Sequence, residues 1–164
     1  MRAMGQSKYD LLWHHSISKV LRKMTIENII SDFEFLDDWE DKYRYVIELG
    51  REMEKLQPEE KTDAAKVRGC ASQVWLVPSE VTTDDSSDAR LSFRGESDAL
   101  IVQGLIAILL KVYNERTPAD ILDVDALSTF NQLGLSEHLT PQRSNGLKSM
   151  IERIRHEATI RQNG

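Results

Sequence analysis

Residues 99–110 form the longest apolar stretch of this chain, broken only by Gln103 and Gly104. The stretch falls short of the roughly 20 residues that a bilayer span needs. A segment so apolar must be wrapped by the rest of the chain, so it reads as a buried core helix. The chain of 164 residues is long enough to bury such a core without disulfide staples, and one domain is the natural expectation. Residues 1–23 stand apart. They are basic, with Asp10 as the one acidic residue, and they lack the continuous apolar run of a secretory signal. An upstream start before a true start at Met24, a disordered extension and an organelle transit peptide are the three readings open there. The domain proper is expected over residues 24–164.

From Thr25 the pattern turns regular. Ile26, Ile29, Ile30 and Phe33 follow the i, i+3, i+4, i+7 spacing of an amphipathic helix, with Thr25 as its N-cap. A second helix is expected from about Asp38, where Asp37 and Glu40 have capping-box spacing. Pro58 with Glu59 and Glu60 suits a further helical turn. Residues 72–77 then alternate partly and are rich in β-formers, and residues 90–94 put Leu91 and Phe93 on one face. With the polar residues 82–88 between them, these read as a hairpin with a long loop. A short strand at residues 65–68 would make a three-stranded antiparallel sheet. The remainder reads as helix. Asp98 is placed to cap residues 99–113, and Pro118 to start a short helix. Gly134 would close residues 124–133. Leu147, Met150, Ile151, Ile154 and Ala158 give the stripe of a last helix, with Ser144 as its cap. The order predicts an α+β fold, a small sheet of about three strands packed against several helices.

The formal net charge is −6, with no long Lys/Arg run, so nothing suggests a nucleic-acid footprint. Cys70 is the only cysteine. It can form no intrachain disulfide and cannot alone supply the thiolates of a metal cluster. A reducing compartment, the cytosol, is its simplest home. Gly69 permits a sharp turn that presents the thiol on a loop, and Arg68 could favour the thiolate. A buried, inert cysteine is the other reading. Among the histidines, the adjacent pair His14-His15 cannot face one way on a helix. His138 would serve as a base only if the fold brought it to Cys70. Trp39 and Trp75 read as packing residues. From residue types alone, the chain is a soluble α+β domain with one loop cysteine.

Four segments carry a resemblance. They are Trp39-Glu40-Asp41-Lys42-Tyr43 through Glu48-Leu49-Gly50; Val67-Arg68-Gly69-Cys70-Ala71-Ser72-Gln73-Val74-Trp75; Phe93-Arg94-Gly95-Glu96-Ser97-Asp98-Ala99 into Val102-Gln103-Gly104-Leu105; and His138-Leu139-Thr140-Pro141-Gln142-Arg143-Ser144-Asn145-Gly146-Leu147 with Met150. In order and spacing they resemble the SufE/CsdE family of sulfur acceptors in iron–sulfur cluster assembly, over residues 24–160. Residues 1–23 fall outside the pattern.

The resemblance implies the α+β fold that SufE shares with IscU-type scaffold proteins. It implies a SufS-type cysteine desulfurase as partner, whose pyridoxal phosphate stays with that enzyme. A SufBCD-type scaffold would be the later recipient. Cys70 would take the sulfur as a cysteine persulfide, with no cofactor or metal bound by this chain. Arg143 corresponds to the family's arginine beside the cysteine loop. Asp98 corresponds to a residue that helps hold the loop, and Gln73 lies in the motif itself. The chain would be a sulfur-transfer accessory protein that stimulates the desulfurase, rather than a stand-alone enzyme. It would be cytoplasmic, a monomer or weak homodimer, without nucleic-acid or membrane partners. A binding module that regulates a desulfurase or another enzyme without carrying sulfur is the alternative.

Overall fold

The computed structural model describes residues 24–82 and 88–163. In chain order these form α1 (Ile26–Phe35), α2 (Trp39–Arg51), a 3-10 turn at Pro58–Glu60, β1 (Val74–Val81) and β2 (Arg90–Ser97). Then follow α3 (Leu100–Tyr113), α4 (Pro118–Asp123), α5 (Ala126–Gln132), a 3-10 turn at Leu135–His138 and α6 (Pro141–Gln162). The expected α+β class is the one observed. The readings for residues 1–23, and most of the hairpin loop at residues 82–88, lie outside the described residues.

The apolar stretch is the central element. Ile101, Val102, Leu105, Ile106, Ile108, Leu109 and Val112 of α3 are all buried. One side of α3 meets α2 and another meets β2. Gly50 of α2 and Gly104 of α3 face each other at the crossing. A Cβ on Gly104 would stand 2.5 Å from Val46 Cγ1, so the two backbones approach as closely as glycine allows. Gln103, the polar break in the stretch, has a local purpose. Its side-chain oxygen accepts from Ser97 N at 2.6 Å, which satisfies a donor at the turn from β2 into α3.

The sheet has two antiparallel strands, in register from Val74 opposite Ser97 to Val81 opposite Arg90. Val74, Leu76, Leu91 and Phe93 point into the core. The third strand expected at residues 65–68 is reduced to one bridge, Lys66 opposite Trp75. The chain turns just before it, and Gly69, at φ +90°, turns it away just after. No length remains for a longer ladder.

Several caps differ from expectation. Asp98 does not cap α3: the N-cap is Ala99, whose side chain offers no acceptor, and Ser97 Oγ accepts from Ala99 N at 3.2 Å. The Asp98 carboxylate is engaged elsewhere, as described below. α2 is capped by Asp38 alone, which accepts from Glu40 N. α6 begins at Pro141 with Thr140 as cap, a turn earlier than a start at Ser144. Thr140-Pro141 repeats the Thr117-Pro118 start of α4, so the earlier boundary follows the same rule. Along α6, Leu147, Met150, Ile151, Ile154 and Ala158 are buried as expected.

Candidate functional site

Cys70 sits on the loop between the Lys66 bridge and β1, laid on the surface of α6. Gly69 makes the left-handed turn, and a Cβ there would stand 2.5 Å from Ser149 Oγ of α6. One residue on, the Cys70 thiol donates to the Gly146 carbonyl at 3.6 Å. Gly146 lies directly beneath the loop, where a Cβ would be in van der Waals contact with Sγ at 3.4 Å. The thiol is half-buried, and burial, the sole cause of its shift, pushes its pKa up. Arg68 is exposed and does not reverse that direction.

The far end of the loop is tied to the turn between β2 and α3. Asp98 Oδ1 accepts from Gln73 N at 3.0 Å, and Asp98 N donates to Gln73 O at 3.3 Å. Ser97 Oγ and Ser72 Oγ lie 3.5 Å apart beside this pair. Gln73 therefore takes part through its backbone, and its side chain is exposed. An aspartate at position 98 can hold the loop because it is not spent as a helix cap.

Arg143 lies one turn before Gly146 on α6. Its Nη1 donates to Tyr43 Oη at 2.6 Å, which ties the start of α6 to α2. The guanidinium is thus committed to a tyrosine hydroxyl of α2. Trp75 is half-buried, with the Lys61 ammonium 5.3 Å above its ring and an ion pair between Lys61 and Glu96 alongside. His138 stacks on Trp39 with ring centroids 3.4 Å apart and does not hydrogen-bond Cys70. His138, the histidine considered as a base, is engaged with Trp39 instead. His14 and His15 lie outside the described residues. Among the described residues there is no group of His, Cys, Asp and Glu arranged to hold a metal ion. No helix among them is long and apolar enough to cross a membrane.

Reading the sequence brought out Cys70, Asp98 and Gln73, which the fold places on one loop and its anchor, and Arg143, placed on the helix beneath. It did not bring out Ser149 or the contact between Cys70 and Gly146. A glycine inside a helix costs about 1 kcal/mol relative to alanine, so Gly146 was a sign that something approaches that face closely.

The chain matches known proteins along most of its length. The family profile described as "SufE: Fe-S metabolism associated domain" matches residues 27–158. An uncharacterized SufE-like protein of Rhizobium etli is 52% identical over 137 residues, covering 84% of this chain and 91% of that one. An uncharacterized SufE-like protein of Rhizobium meliloti is 52% identical over 134 residues, covering 82% and 94%. The fold is similar to the solution structure of a hypothetical protein from Thermus thermophilus, with a TM-score of 0.62 and 18% identity. That likeness covers 86% of this chain and 100% of the other.

Proposed function

The chain belongs to the SufE family, whose domain is associated with Fe–S metabolism, and from that premise we propose that Cys70 accepts sulfur from a cysteine desulfurase as a persulfide. The observation that carries the reading is the only thiol of the chain, half-exposed on a loop that turns at Gly69. In the transfer step the Cys70 thiolate attacks the outer sulfur of the partner's cysteine persulfide. A new S–S bond forms on Cys70, the partner's S–S bond breaks, and the partner's cysteine leaves as a thiolate. The proton lost from Cys70 goes to solvent or to that leaving thiolate, and no external oxidant or reductant is consumed. The sulfur then passes to a cluster scaffold of the SufBCD type. Pyridoxal phosphate belongs to the desulfurase, and this chain supplies the thiol and its loop. We place this chemistry in the cytoplasm and assign it to a monomer or weak homodimer.

The reading asks the loop to take two positions, of which the structure has the docked one. In the docked state the thiol is held protonated and half-shielded, which protects it from oxidation. Transfer requires the loop to leave Gly146 and enter the partner's site, where the partner completes the catalytic surroundings.

Intact-mass measurement after mixing the chain with a SufS-type desulfurase and cysteine tests the reading. Wild type gains the mass of one or more sulfur atoms, removable by reductant, and Cys70→Ser gains none while still binding the desulfurase. If the serine variant stimulates turnover as fully as wild type, the chain is a binding module and carries no sulfur.

A further inference from the structure

The segment that leads into the Cys70 loop is held from its outer edge by an arginine with no place in the transfer chemistry. The Lys66 bridge turns one edge of residues 65–67 toward β1: Val67 N donates to Val74 O at 2.8 Å, and Leu76 N donates to Ala65 O at 2.9 Å. The carbonyls of Ala64, in the turn before the bridge, and of Lys66, at the bridge itself, have a different partner. Both accept from Arg153 of α6, Lys66 O from Nη1 at 3.3 Å and Ala64 O from Nη2. The guanidinium does here what a neighbouring strand would do. Its rigid planar fork spreads its donors over two carbonyls and a carboxylate, where an ammonium would have to reach all three from a single nitrogen.

Arg153 is itself held. Its Nε donates to Glu157 Oε1 at 3.3 Å, and Glu157 Oε2 accepts from Arg161 Nη1 at 2.7 Å. Burial alone would raise the Glu157 carboxyl, but the bonds from Arg161 and Arg153 outweigh it and hold it below the usual range. Arg161 in turn pairs with Glu80 near the end of β1 at 3.3 Å. Gly146, Ser149 and Arg153 follow one another along α6, and they meet Cys70, Gly69 and Lys66 in reverse chain order.

We infer that Arg153 is a positioning residue for Cys70, fixing the incoming stem of the loop on α6 so that Gly69 to Gln73 moves as a unit between docked and presented states. The inference rests on the sulfur-transfer reading for its purpose but not for its test. With the stem fixed, the left-handed turn at Gly69 and the Asp98 anchor mark the two ends of the mobile part. Without it, the thiol no longer returns to one place over the Gly146 carbonyl.

The test uses the full chain and iodoacetamide, at a temperature well below the melting transition. Arg153→Ala raises the alkylation rate of Cys70 several-fold and lowers the pH midpoint of that rate, because the thiol spends more time out of its half-buried seat. Arg153→Lys restores part of the wild-type rate and midpoint. Glu157→Gln, which leaves the arginine in place but loosens its orientation, shifts both in the same direction by less. In sulfur uptake, Arg153→Ala raises the KM for the desulfurase more than it lowers kcat. Wild-type rates and midpoints in Arg153→Ala overturn the inference, and a fall in melting temperature without a change in alkylation overturns it equally. Failure of wild type to take up sulfur would remove the transfer reading and leave the alkylation result to stand or fall alone.

Discussion

Two residues set the behaviour of the thiol. Gly69 holds φ at +90°, and a side chain there would also run into Ser149 Oγ. A left-handed conformation costs an ordinary L-residue roughly 1–2 kcal/mol. Gly69→Ala is therefore expected to lower stability by about that amount or more, measured by urea denaturation. Adding Ser149→Ala should return only the steric share, because the backbone strain remains. Cys70 gives a pH signature. Burial raises its folded-state pKa above that of the unfolded chain, so the folded state holds the proton more tightly. Its contribution to stability is complete below the unfolded thiol pKa and is lost as pH rises through the folded one. Cys70→Ser should thus remove a small alkaline decline in stability, and wild-type alkylation should show a higher midpoint than an unstructured peptide thiol. Cys70 and Gly69 were legible in the sequence as a turn carrying the chain's one thiol. Gly146 stood out only as a glycine inside a helix; its contact with Cys70 joins positions 76 residues apart, and only the fold brings them together.

At the scale of elements, the crossing of α2 and α3 is the tightest joint. A Cβ on Gly104 would meet Val46 backbone and side chain at once, with no flexible atom to give way. Overpacking of this kind costs typically 1–3 kcal/mol and sometimes more. Gly104→Ala is expected at or beyond the top of that range, despite alanine's better helix propensity, and a large fall in melting temperature would show it. Read along the sequence, Gly104 was only an interruption in an apolar helix. The junction of β2 and α3 shows a similar limit. Asp98 had the type and position of an N-cap, but the same carboxylate can accept from any nearby N–H, and the fold offers Gln73. Asp98→Ala should cost about 1 kcal/mol, the net worth of one such bond, and speed alkylation of Cys70. Asp98→Asn keeps the acceptor oxygen and should stay close to wild type in both. If Asp98→Ala alkylates at the wild-type rate, the loop is not held from this end. The strand count differed for a related reason. Residues 65–68 have strand-like composition, yet the turn before them and Gly69 after them leave room for one bridge.

The molecule as a whole was legible in class because its periods change along the chain, helical to alternating and back, around one stretch too apolar to be exposed. How the parts meet was not legible, since crossing glycines and arginine-held carbonyls depend on contacts between distant segments. A two-stranded hairpin is not stable alone, so the sheet depends on α3 beneath it, and α3 depends on α2 and α6 to cover its other sides. That interdependence bears on where the folding unit begins. Ile29 and Phe33 of α1 are buried in the common core, so α1 belongs to the unit. Its start is closed locally: Thr25 Oγ1 accepts from Asn28 N, and Thr25 N donates to Asn28 Oδ1. Two of the N–H groups at this start are thereby satisfied reciprocally within the first turn. The family profile begins at residue 27, within this first turn. A chain starting at Met24 is therefore expected to unfold cooperatively, with a urea midpoint close to that of the full chain, and to take up sulfur on Cys70 at the same rate. Removing residues 1–23 takes away basic charge and leaves the remainder more acidic, so any difference that does appear should shrink as salt is added. A large loss of stability at all salt concentrations would instead make residues 1–23 part of the core unit, and would move the boundary of the domain to its first residue.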